Sequence, residues 1–197
     1  MDILFATHNV DKFRELEKIL SKENVNLEYF SKYSKKVPIE DGKSFKQNSL
    51  IKAMSASNHT NWKFDCLADD SGLCIDDLEG APGIYSSRWA YNQDYKKAFE
   101  KIRERFSNIG ENMNGKQAKF VCFLVYLKKN KKKFFYQGIL EGSLIYPPRG
   151  KYGFGYDPIF IPKGSNKTLS ELGQKIKNSI SHRRLAIDKF LEDQIND

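Results

Sequence analysis

Leu67-Ala68-Asp69-Asp70-Ser71-Gly72-Leu73 is the stretch of this sequence that says most about its fold and function. An apolar, strand-like run ends in two adjacent carboxylates, and Ser71-Gly72, a pair typical of turns, follows. Because side chains alternate along a strand, Asp69 and Asp70 are predicted to face opposite sides, one reaching a cleft and the other bracing the turn. A carboxylate at a strand end is typical of a Mg²⁺ ligand or of a group that activates water. These residues alone fit equally well an Asx-type turn that closes a hairpin.

Three further motifs favour the functional interpretation. They are Leu4-Phe5-Ala6-Thr7-His8-Asn9-Val10-Asp11-Lys12, Gly153-Phe154-Gly155-Tyr156-Asp157-Pro158 and Lys177-Asn178-Ser179-Ile180-Ser181-His182-Arg183, with Ala81-Pro82-Gly83-Ile84-Tyr85 between the strand motif and the later two. In this order the motifs resemble those of the inosine triphosphate pyrophosphatase family, the Ham1-like non-canonical purine nucleoside triphosphate pyrophosphatases. The resemblance runs from about residue 2 to about residue 192, and its specificity rests on four motifs in order.

Length and composition predict one soluble domain over residues 1–197. A chain of 197 residues fits a single domain, and 40% hydrophobic with 29% charged residues is ordinary for a globular protein. No apolar run approaches the ~20 residues of a membrane span. The first six residues are predicted to form a short strand, not a secretion signal.

The three cysteines, Cys66, Cys74 and Cys122, each lie in an apolar stretch, and the chain has no C-x-x-C pair. The odd count and these spacings support neither a disulfide framework nor a metal site. Buried, reduced thiols are therefore predicted, which indicates a reducing compartment such as the cytoplasm.

The formal net charge of +8 comes from one region. Residues 115–151 hold eight Lys and one Arg against one Glu, so the rest of the chain is neutral. Much of the excess lies in Lys128-Lys129-Asn130-Lys131-Lys132-Lys133, between two predicted strands. This pattern predicts a solvated hairpin tip, where lysines also discourage edge-to-edge aggregation. Sequence-specific binding of nucleic acid has little support.

Periodicity predicts an α/β protein with a mixed twisted sheet and flanking helices. The predicted strands are 2–7, 25–30, 64–68, 73–78 and a long antiparallel hairpin of 119–127 with 133–140. The predicted helices are 10–21, 44–57, 93–107 and one beginning near Ser181, which buries Ile187, Phe190, Leu191 and Ile195. Residues 146–157 are predicted to form a loop. The resemblance implies two lobes around a nucleotide cleft.

The segment between the first strand and the first helix could bind an anion, because free backbone N–H groups and the helix dipole favour negative charge there. Lys12 in that first turn is misplaced electrostatically unless an anion lies nearby. The simpler interpretation makes Asn9 a plain N-cap and Lys12 a surface residue. The resemblance implies a triphosphate-binding segment made of Thr7, His8, Asn9 and Lys12, with His8 where the family usually has Gly.

The resemblance also implies a metal site. Glu40 and Asp70 would hold Mg²⁺, with Mn²⁺ as an alternative, whereas local sequence alone makes Glu40 part of a turn. Asp70 would orient or deprotonate the attacking water. Lys12 and Lys52 would neutralise the triphosphate, although Lys52 by itself reads as a solvated helix face. Ser71 and Arg88 are assigned further substrate contacts.

The glycine- and aromatic-rich loop could present a flat ring to a base, or it could be a turn packed by its aromatic residues. The resemblance implies that it holds the purine through Phe154, Gly155, Tyr156 and Asp157. It also implies that the base and its 6-oxo group are met by Lys177, His182 and Arg183. Ser181 could cap the last helix.

These inferences predict a Mg²⁺-dependent enzyme that hydrolyses ITP, dITP or XTP to the monophosphate and pyrophosphate, cleansing nucleotide pools. The resemblance implies a homodimer acting on a small-molecule nucleoside triphosphate. The charge distribution and the lack of a long apolar run predict no specific nucleic acid and no membrane as partner. One alternative is hydrolysis of other modified nucleotides, as in the related Maf-type enzymes, which Ser181-His182-Arg183 argues against. The other alternative, from a different class, is a basic nucleic-acid-binding module.

Overall fold

The computed structural model describes residues 1–21, 23 and 25–194. Its chain forms two compact units. The first unit comprises the described residues of 1–70, 122–138 and 183–194, and the second comprises residues 71–121 and 139–182. Two units agree with the predicted two lobes, while a nucleotide cleft stays a prediction. None of the helices in the described ranges is long and apolar enough to cross a membrane.

Six strands form one mixed sheet in the order β2-β1-β3-β4-β5-β6. Their bounds are β1 Asp2–Phe5, β2 Asn26–Tyr29, β3 Asp65–Ile75, β4 Gln117–Leu127, β5 Lys133–Leu144 and β6 Phe160–Pro162. β1 pairs in parallel with both β2 and β3, and β5 pairs antiparallel with β6. The predicted α/β class with a mixed sheet is therefore confirmed.

In the described residues, six α-helices accompany the sheet. They are α1 Val10–Leu20, α2 Phe45–His59, α3 Ser86–Trp89, α4 Tyr95–Asn108, α5 Leu169–Ile180 and α6 His182–Gln194. The predicted helices correspond to α1, α2, α4 and α6 within a few residues. Of the residues predicted to be buried on the last helix, Ile187, Phe190 and Leu191 are buried, and Ile195 lies outside the described residues.

The core of the first unit has two layers because neighbouring residues of β1 and β3 point to opposite faces. On one face Ile3, Phe5 and Leu67 pack against α1 and α6. On the other face Cys66 and Ala68 pack against α2. By the same alternation, Asp69 faces the layer of α1 and α6, and Asp70 faces the layer of α2.

The core of the second unit gathers residues of the carboxyl half of β3 with α4, β6 and α5. Leu73 and Ile75 meet Phe99, Ile102 and Phe160 there. The glycine-rich loop leads into a short 3-10 helix, Asp157–Ile159, directly before β6. Ile159 and Phe160 belong to this core, so they anchor the end of the loop.

The predicted turn at Ser71-Gly72 is wrong, because β3 is one continuous strand from Asp65 to Ile75. A hairpin would require the two halves of this stretch to pair with each other. In the sheet, β3 lies instead between β1 and β4, and its residues 65–67 pair with β1. Burial of nearly every residue along β3 outweighs the local turn preference of Ser-Gly.

The predicted hairpin is confirmed and is longer than expected. β4 and β5 are neighbours, and the Lys128 N–H donates to the Lys132 carbonyl across the turn. Consecutive neighbouring strands joined by so short a turn must run antiparallel. Lys131 takes φ +68°, the left-handed conformation that such a turn requires.

The buried thiols give a first testable expectation. Cys66, Cys74 and Cys122 are free and buried, as predicted, and burial raises the pKa of Cys66 and of Cys122 to about 12. Since the thiolate is the reactive form, a thiol-titrating reagent at neutral pH should react with neither in the native protein and with all three cysteines in denaturant. Rapid native reaction of Cys66 or Cys122 would contradict this packing.

Candidate active site

The start of α1 is built as its sequence predicts. The Asn9 side chain accepts hydrogen bonds from the backbone N–H groups of Asp11 and Lys12, which makes it the N-cap. Thr7 Oγ1 in turn accepts from the Asn9 N–H, at 3.1 Å. The Lys12 ammonium lies 2.9 Å from Asp69 Oδ2, so the anion that this position calls for is a carboxylate of β3.

Asp69 faces the layer formed by α1 and α6, where it belongs to a group of four charges, of which Glu15, Asp69 and Arg183 are buried and Lys12 is partly exposed. Arg183 donates to Asp69 Oδ2 from Nε and Nη2, at 3.2 and 3.1 Å, and from Nη1 to Glu15. Burial alone would lower the pKa of Arg183, but the carboxylates of Glu15 and Asp69 raise it. We call Lys12, Glu15, Asp69 and Arg183 the charge quartet.

Asp70 faces the opposite layer, as strand alternation predicts. Lys52 of α2 lies between two carboxylates, with Nζ 2.9 Å from Asp70 Oδ1 and 3.1 Å from Glu40 Oε2. Burial raises the pKa of Asp70, and the Lys52 ammonium only partly opposes this. The pKa of Lys52 is raised in spite of its burial, because Asp70 and Glu40 favour its charged form. Lys52 is therefore not the solvated residue that its local sequence suggests.

The residues around Asp70 fit a magnesium ion. Asp70 Oδ2 is a buried oxygen without a hydrogen-bond partner in the described part of the chain. Within that part, no group of three or more His, Cys, Asp and Glu side chains could enclose a metal by itself. Mg²⁺ is ordinarily held by one or two carboxylates together with water and substrate phosphates, so the pair Glu40 and Asp70 suffices.

A second set of polar residues lies in the second unit, where α5 meets the glycine-rich loop. Lys177 Nζ is 2.6 Å from Asp157 Oδ2 and 3.9 Å from the centroid of the Phe154 ring. Asp157 Oδ2 also accepts the Phe154 N–H at 2.8 Å. Lys177 and Asp157 are both buried. A buried ion pair of this kind holds a cation firmly beneath the loop.

Gly153 is required for this arrangement. Its φ is +81°, and a Cβ there would lie 2.2 Å from Asp157 Oδ2. Gly153→Ala should therefore displace Asp157 from Lys177 and raise the KM for ITP by ~10-fold, the equivalent of about 1.4 kcal/mol. Steady-state pyrophosphate release measures this.

Gly164→Ala is the matched control, because Gly164 has φ +82° and open space around its Cβ position. It carries the same backbone strain without the clash, so its KM should stay near that of the parent. If both variants behave alike, Asp157 does not control substrate affinity.

The other predicted base contacts have different surroundings. Tyr156 is buried, donates its hydroxyl to the Ser86 carbonyl at 2.8 Å and packs its ring against Tyr95. The ring of Tyr156 is thus part of the core of the second unit. The His182 ring stacks on Phe120, with centroids 4.8 Å apart.

The remaining predicted residues are placed as follows. The His8 carbonyl accepts from the Tyr29 hydroxyl, and the His8 ring contacts Phe30 edge-on. The Arg88 guanidinium lies 5.0 Å from the centre of the Tyr85 ring. The first unit holds Thr7, His8, Asn9, Lys12, Glu40, Lys52, Asp70 and Arg183, and the second holds Ser71, Arg88, Phe154, Gly155, Tyr156, Asp157, Lys177 and His182.

Sequence reasoning missed Glu15 and the helix α5. Glu15 lies on the buried face of α1 with Leu16, Ile19 and Leu20. A lone acid within such an apolar stripe is the signal that could have found it, since a buried carboxylate needs a cation. For α5 the signal was the capping box at Thr168, whose side chain accepts the Glu171 N–H while Glu171 accepts the Thr168 N–H.

Fold and residues together define a mixed α/β protein whose central strand carries carboxylates paired with buried cations. The model of the Ham1 family matches residues 3–193, so the chain belongs to the Ham1 family, as the motifs predicted. It is 39% identical over 190 residues to the dITP/XTP pyrophosphatase of Zymomonas mobilis, covering 96% of this chain and 90% of that protein. It is 37% identical over 191 residues to the dITP/XTP pyrophosphatase of Bacillus subtilis, covering 96% and 94%.

Solved structures agree with this assignment. The HAM1 protein of Coxiella burnetii superposes with a TM-score of 0.89 at 32% identity, covering all of both chains. The Ham1 protein of Staphylococcus aureus superposes with a TM-score of 0.82 at 31% identity over 98% of both. The mixed α/β fold is therefore the fold of this family.

Proposed function

We propose that this protein hydrolyses non-canonical purine nucleoside triphosphates, namely ITP, dITP and XTP, to the monophosphate and pyrophosphate. Membership of the Ham1 family and relatives named dITP/XTP pyrophosphatases support this activity. The observation that carries the proposal is the Lys52 ammonium between Glu40 and Asp70, with Asp70 Oδ2 left to take a further partner. This group offers a carboxylate that can act as a base, Asp70, an ammonium, Lys52, and carboxylate oxygens of Glu40 and Asp70 that can bind a metal.

Glu40 and Asp70 would hold the Mg²⁺ ion, or Mn²⁺ in its place. When bound, the ion would supply Lewis-acid stabilisation of phosphate oxygens and lower the pKa of a water molecule. Asp70 would orient the attacking water and accept its proton. The water oxygen bonds to the α-phosphorus while the bond to the bridging oxygen of pyrophosphate breaks.

Lys12 and Lys52 neutralise the charge that moves onto the leaving pyrophosphate. Both ammonium groups are held by carboxylates, at Asp69 for Lys12 and at Asp70 and Glu40 for Lys52. Donors held in place before the reaction need no reorganisation during it, which is the main source of electrostatic catalysis. Thr7, His8, Asn9, Ser71 and Arg88 would contact the substrate around these groups.

The purine would be held by the glycine-rich loop and α5, with Phe154, Gly155, Tyr156, Asp157 and His182 around it. Lys177 and Arg183 would donate to the 6-oxo group of hypoxanthine or xanthine. Adenine carries an amino donor at that position, so the N–H groups of these cations would face another donor and ATP would be rejected. Charge-assisted hydrogen bonds of this kind contribute about 1.5–3 kcal/mol each.

Measuring pyrophosphate release from ITP, dITP, XTP, GTP and ATP, each with and without Mg²⁺, tests this function. We expect turnover of the first three, little turnover of ATP and none without a divalent metal. A panel of modified pyrimidine nucleotides and 7-methyl-GTP covers the alternative substrates. A preference for ATP over ITP would overturn the assignment.

We further propose that the enzyme works as a homodimer in the cytoplasm. The resemblance supports the dimer, and three buried, unpaired thiols fit a reducing compartment. Light scattering on the purified chain decides the oligomeric state.

A further inference from the structure

The tip of the β4–β5 hairpin carries a dense positive charge. Residues 122–138 contain five lysines and no acidic residue. We call Lys128, Lys129, Lys131, Lys132 and Lys133 the lysine tip. Lys46 and Lys63 of the same unit extend it, because their ammonium groups lie over Phe135 and Phe64, at 4.4 and 5.1 Å from the ring centroids.

Four of these lysines, Lys46, Lys63, Lys128 and Lys131, lie over aromatic rings and not against carboxylates. The Lys131 ammonium lies 5.3 Å from the Trp62 ring centroid, and that of Lys128 lies 5.5 and 5.2 Å from Tyr126 and Phe134. In the described residues no ion pair involves the lysine tip, Lys46 or Lys63. By contrast, Lys116 and Lys119, the other lysines of β4 and its approach, are ion-paired with acidic residues.

This difference matters because a carboxylate neutralises a lysine, whereas a ring orients the ammonium and leaves its charge intact. Two carboxylates of the same unit, Asp65 and Asp193, are bonded to groups on the hairpin. Asp65 accepts from the Tyr126 hydroxyl and the Lys129 N–H, and Asp193 accepts from the Tyr136 hydroxyl. Both carboxylates keep their charge, because these donors are neutral, and Lys128 acts electrostatically on Asp193. Five lysines against these two carboxylates leave the tip with an excess of positive charge.

We propose that the lysine tip, with Lys46 and Lys63, binds the phosphate backbone of single-stranded nucleic acid without regard to sequence. Seven lysines in reach of a flexible polyanion give a salt-dependent interaction driven by counterion release. This function is separate from nucleotide hydrolysis and does not depend on it.

A flexible strand fits this surface better than a membrane. Phe134 and Phe135 are neighbours in β5 and point to opposite faces, so Lys128 and Lys46 lie on different sides of the hairpin. A flat bilayer would meet only one of these sets, whereas a single strand can follow both. The rings also pack against the core and are not exposed, so the tip has no apolar anchor to insert.

The test measures fluorescence anisotropy of labelled oligothymidylate and oligouridylate against the full chain at increasing salt. The variant Lys131→Ser/Lys132→Ser/Lys133→Ser removes three charges from the tip. The matched control, Lys32→Ser/Lys97→Ser/Lys163→Ser, removes three equally exposed charges that are ion-paired with Glu28, Asp94 and Glu141. Both variants should keep ITP turnover within ~3-fold, because distant exposed charges are screened beyond ~10 Å.

We expect the parent to bind both oligonucleotides with an affinity that falls with salt, at a logarithmic slope of about 0.7 per phosphate contacted. The tip variant should bind at least ~10-fold more weakly with a flatter slope, and the control should bind like the parent. No binding by the parent at low salt, or equal losses in both variants, overturns the proposal. So does binding to phosphatidylserine vesicles without binding to either oligonucleotide.

Discussion

Arg183→Ala should destabilise the protein by about 3–5 kcal/mol, the cost of removing one partner from a buried ion pair. The guanidinium of Arg183 is buried and donates to Glu15 and Asp69, whose carboxylates are also buried. Without Arg183, the buried carboxylates of Glu15 and Asp69 lose the cation that they share. Urea denaturation followed by circular dichroism measures the loss.

Arg184→Ala is the matched control. Arg184 is the next residue along α6, and its partner Asp188 lies one turn away on the exposed side of the same helix. Exposed pairs of this type contribute only about 0–1 kcal/mol, so this variant should stay close to the parent. If the two substitutions prove equally mild, the charge quartet does not stabilise the fold.

The same variant tests base recognition, provided that it is assayed where it remains folded. If Arg183 meets the 6-oxo group, kcat/KM for ITP should fall ~10-fold or more, while residual ATP turnover falls much less. An equal loss for both nucleotides would assign Arg183 to the charge quartet alone.

Asp70→Asn should reduce turnover of ITP by at least ~10²-fold while the fold persists, because an amide cannot accept the proton of water and binds metal weakly. The substitution keeps the shape of the side chain, and Lys52 keeps an oxygen acceptor. Pyrophosphate release at saturating ITP measures the effect, and thermal unfolding checks the fold.

Asp65→Asn is the control for the Asp70 variant. Asp65 is the first residue of the same strand, and its carboxylate bonds to the Tyr126 hydroxyl and the Lys129 N–H. It has no role in the proposed chemistry, and its amide variant keeps an oxygen acceptor for both donors, so turnover should stay within ~3-fold of the parent. Near-normal turnover in a folded Asp70→Asn enzyme would remove Asp70 from the mechanism.

Much of the fold could be predicted from sequence, because hydrophobic periodicity and ordered motifs are local signals. Alternation along β3 predicted that Asp69 and Asp70 would face opposite sides, and the ion pairs of Lys12 and Lys52 confirm it. The prediction of a turn at Ser71-Gly72 was wrong because the partner strands of β3 come from distant parts of the chain. The sequence of a strand does not show which other strands will lie beside it in the sheet.

The surroundings of the site residues were harder to predict. α2 buries Asn48, Ser49 and Ser57 beside alanines, so its inner face is polar and gives no hydrophobic stripe from which to place Lys52. The partners of Arg183 lie more than a hundred residues away, at Asp69 and Glu15. Such long-range pairs are set by tertiary packing, and only the resemblance to a family could single these residues out.

The adjacency of Asp69 and Asp70 limits how this protein can change. Asp69 is ion-paired with Lys12 and Arg183, whereas Asp70 next to it has an oxygen that can take a further ligand. The two carboxylates differ only because the pleat of β3 points them to opposite faces. Consider an insertion or deletion of one residue in β3 between Leu67, which pairs with β1, and Asp69. It would turn each carboxylate toward the neighbours of the other, because a shift of one position inverts every side chain of a strand. Loops elsewhere can lengthen gradually during divergence. This strand can be substituted residue by residue, but its length before the pair cannot drift.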